Sequence, residues 1–225
     1  MSDSIVLLHA TPVAMQPIHA AMRELWPDAA AVHLLDEGLS LERAKTAALT
    51  DALAARFIRF GRYAADTGAD GILATCSAFG DPLDKLAEQL AIPVLKPNEA
   101  MFADALAAGG RVGMLATFAP AIAGMEHEFY AMAARLGKTA SLTTLCAEGA
   151  IEQLRAGHDS EHNAIVAQYA ERLADCDVIM LAHFSTSRAL AQVRAVSGVP
   201  VLAAPQSAVL RMKARVRQNK GKTSC

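Results

Sequence analysis

Aromatic residues are scarce in this chain of 225 residues, at 5%, and alanine dominates instead, which points to helices packed closely on sheets. Net charge is nearly absent: a formal −2 gives no global field to attract nucleic acid or an anionic membrane, so the expected partner is small. The four cysteines, at 76, 146, 176 and 225, form no CxxC pair and no evenly spaced framework, and free thiols fit a reducing compartment. The first apolar run, Ile5 to His9, is far too short for a signal peptide or a spanning helix, which predicts a soluble, cytoplasmic protein. No stretch rich in Gly, Ser or Pro interrupts the chain as a linker; only Gly109-Gly110 stands near its middle. With 53% hydrophobic residues and 20% charged, a signature of disorder is missing too.

What is present is a repeat. Asp70-Gly-Ile-Leu-Ala-Thr-Cys-Ser matches Asp177-Val-Ile-Met-Leu-Ala-His-Phe, and Ile92-Pro-Val-Leu matches Val199-Pro-Val-Leu, both at an offset of 107. Short unalternating apolar segments at Ile5 to Leu8, Val32 to Leu35, Gly71 to Thr75 and Val94-Leu95 read as strands of a parallel sheet covered on both faces. Helical segments separate them, the longest running from about Leu41 to Ala65. The pattern restarts at Arg111 to Leu115, continues through Ser141 to Leu145, Val178 to Leu181 and Val201-Leu202, and ends in a helix from Pro205 to about Val216. Alternation of this kind predicts an α/β fold of two pseudo-symmetric halves, each a four-stranded parallel sheet flanked by helices. The expected boundaries are 1–106 and 107–204, with 205–225 packing back on the first half.

In a sheet of order 2-1-3-4 the winding reverses between the first and third strands, and ligands bind outside the carboxyl ends of strands at such a point. The residues there are His9-Ala-Thr11 and Thr75-Cys-Ser77 in one half, and Ala116-Thr117 and His183-Phe-Ser185 in the other. A hydroxyl stands at or just before a helix start at each of these ends, where unpaired N–H groups favour a carboxylate. The same setting is expected to lower the Cys76 pKa and make its thiolate a base. The repeat makes Cys76 equivalent to His183, so one half offers a thiol where the other offers an imidazole. An active site in a cleft between the halves is the corresponding expectation.

Thr75-Cys76-Ser77, Leu115-Ala-Thr117 and Leu181-Ala-His-Phe-Ser185, in this order and spacing, resemble the aspartate/glutamate/hydantoin racemase superfamily, which includes cofactor-independent racemases, maleate isomerases and arylmalonate decarboxylase. The resemblance extends over nearly the whole chain. It implies two α/β halves with a substrate carboxylate between them, and one cysteine from each half acting as acid and base at the α-carbon. On that pattern Cys76 takes the first cysteine position, while Thr11, Ser77 and Thr117 match carboxylate-binding hydroxyls. His183 stands where the second cysteine is expected, a departure from the symmetric pair. The expected activity is a cofactor-independent racemase or isomerase acting beside a carboxylate. Its catalytic residues are Cys76 and His183, and its substrate-binding residues Thr11, Thr75, Ser77, Thr117, Phe118 and Ser185. Neither cofactor nor metal is called for. The partner is a small carboxylate-containing substrate rather than nucleic acid or membrane, and a homo-oligomer is left open. Two alternatives stand beside it: a single-cysteine decarboxylase of the arylmalonate type, and a binding protein without catalysis.

Other signals carry less. His158 and His162 have the spacing of helical metal ligands but flank Asp159-Ser-Glu161, which reads as a helix start in solvent. Gly221-Lys-Thr223 lacks the upstream glycine of a phosphate loop, and the basic residues from Arg211 to Lys222 read as a solvated helix end. Met125, Phe129 and Met132 are spaced as core, and Asn98-Glu99 as the border of a cleft or an ordinary helix start.

Overall fold

The computed structural model describes residues 2–46 and 48–223. In chain order its strands and helices are β1 (Ser4–His9), α1 (Met15–Leu25), β2 (Ala30–Leu35), α2 (Glu37–Arg43), α3 (Asp51–Asp66), β3 (Gly71–Ala74), α4 (Gly80–Gln89), β4 (Val94–Leu95) and α5 (Glu99–Ala108). They continue with β5 (Arg111–Ala116), α6 (Ile122–Arg135), β6 (Ser141–Cys146), α7 (Ala150–Arg155), α8 (Asp159–Ala170), β7 (Val178–Leu181), α9 (Leu190–Val196), β8 (Val201–Ala203) and α10 (Ala204–Thr223). Two compact units result, one of Met1–Pro97 with Ala208–Cys225, the other of Asn98–Ser207.

Each unit holds one parallel four-stranded sheet, of order β2-β1-β3-β4 in the first and β6-β5-β7-β8 in the second, as the alternation predicts. The central strands β1, β3, β5 and β7 are buried along almost their whole length, which is why their sequences are apolar without alternation. The edge strands β2 and β6 alternate between more and less exposed residues. The two sheets also share the lock at their amino-terminal edge: Asp70 accepts the Ser4 N–H at 2.7 Å, and Asp177, 107 residues on, accepts the Arg111 N–H at 2.8 Å.

In the first unit Val6, Leu8, Ile72 and Ala74 meet Phe57 of α3 and Phe79, whose rings stack at 4.6 Å. On β3, Gly71 lets α10 close in, since a Cβ there would stand 2.8 Å from Met212 Sδ. The charged end of α10 is anchored as well: Lys220 Nζ reaches Asp3 at 2.6 Å and Asp70 at 2.9 Å. Helix α10 therefore extends past the Val216 end expected from sequence. In the second unit Leu115, Ile179 and Leu181 pack with Val166 and Ala170 of α8 and Val193 of α9. Met125, Phe129 and Met132 of α6 are buried, as their spacing predicts.

The helix expected over Leu41 to Ala65 is in fact two. Arg43 turns inward to 6% exposure and its guanidinium donates to the Thr46 carbonyl at 2.7 Å, which closes a turn after α2. Thr50 then caps α3, its hydroxyl accepting the Leu53 N–H at 3.3 Å.

Candidate active site

In the first unit, the central strand pair carries its pairing one step past β3, with the Thr75 N–H donating to the Leu8 carbonyl at 2.9 Å. The Thr75 hydroxyl donates to the same carbonyl at 3.1 Å and lies 2.9 Å from His9 Nδ1. Cys76 follows in extended backbone, half-buried, at the entry to a 3₁₀ turn over Ser77–Phe79. Burial pushes its thiol up to about 11, against a hydrogen bond from the Ala78 N–H to the sulfur and the nearby charge of Arg43, both of which favour the thiolate. The lowered pKa expected from sequence is therefore corrected. One turn of 3₁₀ helix offers a single N–H to the sulfur, and loss of water outweighs it. Ser77 is buried and Thr11 half-buried in extended backbone, and neither hydroxyl caps the turn it adjoins.

In the second unit the same step places the Ala182 N–H on the Leu115 carbonyl at 2.9 Å. The next residue, His183, has φ +72°, and among the described residues it is the one non-glycine with positive φ. Its backbone thus departs from that of Cys76 at the position the repeat makes equivalent. Left-handed backbone at a non-glycine residue is a local cost that surrounding structure must hold in place. The Thr117 N–H donates to His183 Nδ1 at 3.5 Å, and Nε2 is buried with no hydrogen-bond partner among the described residues. Burial lowers the imidazole pKa to about 4. The Phe118 ring meets it edge-on at 6.5 Å. Thr117 and Thr186 share a hydroxyl contact at 3.2 Å, and Ser185 is buried next to them.

Within the first unit the structure thus brings Thr75 to His9 and the Arg43 charge to bear on Cys76; within the second it brings Thr117 and Phe118 to His183, and Thr186 to Thr117. The sequence places His9 at a strand end without assigning it a role; Thr186 lies one residue past the Leu181–Ser185 motif, and Arg43 carries no sequence signal, since an arginine in a helical pattern looks like a solvated cation. Asn98 is fully buried and donates to Met125 Sδ at 3.2 Å, while His158 and His162 bond Gln153 and Asn163. Among the described residues no group of three or more His, Cys, Asp or Glu is arranged to hold a metal ion. Nor is any helix there long and apolar enough to cross a membrane. Of the other cysteines, Cys225 lies outside the described residues, Cys176 is buried and Cys146 half-buried.

Residues 6–144 match the family described as Asp/Glu/Hydantoin racemase. No curated protein sequence matches the chain. Among solved structures, glutamate racemase from Francisella tularensis in complex with D-glutamate is similar at TM-score 0.76 and 15% identity, over 97% of this chain and 82% of that one. Allantoin racemase from Klebsiella pneumoniae is similar at TM-score 0.74 and 17% identity, over 96% of this chain and 89% of that one. The Gly74Cys mutant of arylmalonate decarboxylase is similar at TM-score 0.65 and 17% identity, over 95% of this chain and 93% of that one.

Proposed function

The chain belongs to the Asp/Glu/Hydantoin racemase family, whose racemases are isomerases, and from that membership we propose that it moves a proton at a carbon beside a carboxylate, without a cofactor, using Cys76 and His183. The observation that carries this reading is the strained backbone of His183 at the position the repeat pairs with Cys76. Strain of this kind is held by the structure around it and clusters at functional sites.

At neutral pH both groups are uncharged, the thiol because its pKa is raised and the imidazole because its pKa is lowered. A proton moved from Cys76 to His183 by way of solvent leaves a thiolate base and an imidazolium acid with the total proton count unchanged. Arg43 and the Ala78 N–H support the thiolate. The negative charge of a carboxylate substrate supports the imidazolium. Protonation of Nδ1 displaces the Thr117 N–H, but a contact of 3.5 Å is at the weak limit of a hydrogen bond and is given up cheaply. Thr11, Thr75, Ser77, Thr117 and Ser185 are the proposed donors to the substrate carboxylate and to enediolate charge, with Phe118 as an apolar wall beside His183. The free thiol fits a reducing cytoplasm.

One observation favours a second reading. A thiol pushed up to about 11 is a proton donor at rest, which is all that a single-cysteine decarboxylase needs. A panel of carboxylates, amino acids and hydantoins incubated with the protein in D₂O separates the two. Deuterium entering one carbon with loss of optical activity is expected for the racemase; release of carbon dioxide puts the decarboxylase ahead; neither outcome on any substrate overturns both.

A further inference from the structure

Three histidines of the first unit stand in file: His9 on β1, 1% exposed; His33 on β2, half-buried; and His19 on α1, exposed. His9 Nε2 lies 2.9 Å from His33 Nδ1, and His33 Nε2 lies 3.3 Å from His19 Nδ1. The His9 and His33 rings are stacked, with centroids 5.1 Å apart and planes 11° from parallel. At the inner end His9 Nδ1 lies 2.9 Å from the hydroxyl oxygen of Thr75, which is also 3.1 Å from the Leu8 carbonyl.

Each link between two rings needs one hydrogen, and a neutral imidazole carries one. The uncharged file therefore has two registers. In one, every ring is protonated on Nδ1 and His9 donates to Thr75; in the other, every ring is protonated on Nε2 and Thr75 spends its hydroxyl hydrogen on His9. Both satisfy the links. One added proton leaves no such choice: whichever ring carries the charge, keeping both links filled puts a hydrogen on His9 Nδ1. Thr75 Oγ1 then accepts from His9, and its own hydrogen is given to the Leu8 carbonyl or to a ligand. A second added proton would set N–H against N–H at a link.

Few charges bear on the file. Strands β1 and β2 hold no ionisable side chain besides His9 and His33, and Thr75, which faces His9 from the end of β3, is neutral. On α1, which faces His33 through His19, Arg23 and Glu24 are exposed. Burial, and then the neighbouring imidazole, lower the pKa of both His9 and His33, so an added proton sits outermost, on His19. A carboxylate beside Thr75 opposes that bias, because its charge favours the protonated form of the rings nearest to it.

We propose that His19, His33 and His9 hold one proton as a unit and couple carboxylate binding at Thr75 to the pH of the solvent: the bound carboxylate draws a proton into the file, and that proton commits the Thr75 hydroxyl to the carboxylate. The inference rests on the reading of Thr75 as a donor to the substrate carboxylate. The proton comes from water and is taken up at the exposed ring; each move between rings breaks one N–H bond and forms one, and no electrons change hands. Coupling of this kind is reciprocal, so filling the file tightens the carboxylate by the same factor by which the carboxylate raises the proton affinity of the file. His9, His33 and His19 are positioning residues and touch no substrate.

Two measurements on the full chain test the coupling. The first is nitrogen NMR of histidine-labelled protein from pH 8 to pH 5 without ligand, which is expected to show one proton taken up by the three rings together and, once it is bound, a hydrogen on His9 Nδ1. Two charged rings in the folded chain at pH 5, or a bare His9 Nδ1 beside one charged ring, overturns the inference. The second is calorimetric titration with sodium acetate at constant ionic strength, which is expected to show binding roughly tenfold tighter at pH 6 than at pH 8, with net proton uptake. His19→Gln, a change at an exposed position, takes away the outermost proton site and is expected to remove most of that difference. Thr75→Val is expected to weaken acetate at both pH values. Acetate bound equally at pH 6 and pH 8, or a difference unchanged in His19→Gln, overturns the coupling and leaves the proposed function standing. No acetate binding at either pH, or an affinity unchanged in Thr75→Val, removes Thr75 from the carboxylate site and overturns the reading on which the coupling rests.

Discussion

The Thr117 N–H, one residue past β5, points at Nδ1 of His183, two residues past β7, across 3.5 Å. Neighbouring strands bring the two together, because the Ala182 N–H on the Leu115 carbonyl sets the ends of β5 and β7 in register. In the other sheet the same step, Thr75 on Leu8, sets the ends of β1 and β3, and there the contact is between Thr75 and the His9 imidazole. Each sheet thus holds an imidazole against a threonine at the end of its central pair. The histidine comes from the first strand in one unit and from the third in the other.

Cys76 is expected to alkylate slowly at neutral pH, at a rate that keeps rising as pH approaches about 11, because burial disfavours its thiolate. Arg43→Leu removes a charge that favours the thiolate and is expected to slow alkylation at pH 8 by about tenfold. Timed alkylation with peptide mapping of Cys76 checks both. A rate that levels off below pH 8 would show an activated thiol and contradict the burial argument.

The pH dependence of stability has two limbs. Burial lowers His183 to about 4 and His9 to about 3 from an ordinary 6.5. As pH falls through 6.5 the unfolded chain binds protons that the folded chain refuses, so stability is full above that point and is lost progressively towards pH 3. For Cys76 the sign reverses. Its pKa rises from 9.0 to about 11, so the unfolded chain loses its proton first and stability falls across that window. A tenfold difference in proton affinity between the folded and unfolded chain is worth about 1.4 kcal/mol, so the acid limb is expected to reach a few kcal/mol. Denaturant midpoints measured from pH 4 to pH 10 test this, and a His9→Gln, His183→Gln double variant should flatten the acid limb.

Sequence pattern carries the fold because strands such as Ile5 to Leu8 and Val178 to Leu181 are buried on both faces and are therefore apolar without alternation. It also carried the strand-end residues, since the repeat marked them. It could not carry what depends on how a loop closes. The break between α2 and α3 rests on Arg43 turning inward to Thr46, and an arginine in a helical pattern looks like any solvated cation. The direction in which the Cys76 pKa moves was lost for a related reason. A serine or phenylalanine nearby in sequence does not say how much water reaches a sulfur.

Gly61 of α3 faces Leu86 of α4 so closely that an added Cβ would stand 2.2 Å from Leu86 Cδ2. Gly61→Ala, although it raises helix propensity, is therefore expected to cost about 1–3 kcal/mol by overpacking. Leu86→Ala alone leaves a cavity and is expected to cost about 2–5 kcal/mol. Combined, the two changes should cost less than their sum, since the methyl group added at one site fills space vacated at the other. Urea midpoints of the four proteins close the cycle, and strict additivity would mean that the two helices move apart instead.

His183 can be tested for backbone and chemistry separately. Its φ of +72° costs a β-carbon-bearing residue about 1–2 kcal/mol relative to glycine. His183→Gly is accordingly expected to be more stable than His183→Ala by about that amount, and both should lose racemisation on a substrate found in the D₂O panel. His183→Gln keeps an N–H donor but transfers no proton. If His183 is an acid, that variant should lose about 10² to 10⁴ in rate. If His183 only donates a hydrogen bond to enediolate charge, most of the rate should remain. His183→Cys restores a thiol at the second position and should recover part of the racemisation, with its acid limb shifted to higher pH because a buried thiol replaces an imidazole lowered to about 4. Parent-rate racemisation in His183→Ala would remove His183 from the reaction and leave Cys76 as its single proton-transfer group, the arrangement a decarboxylase requires.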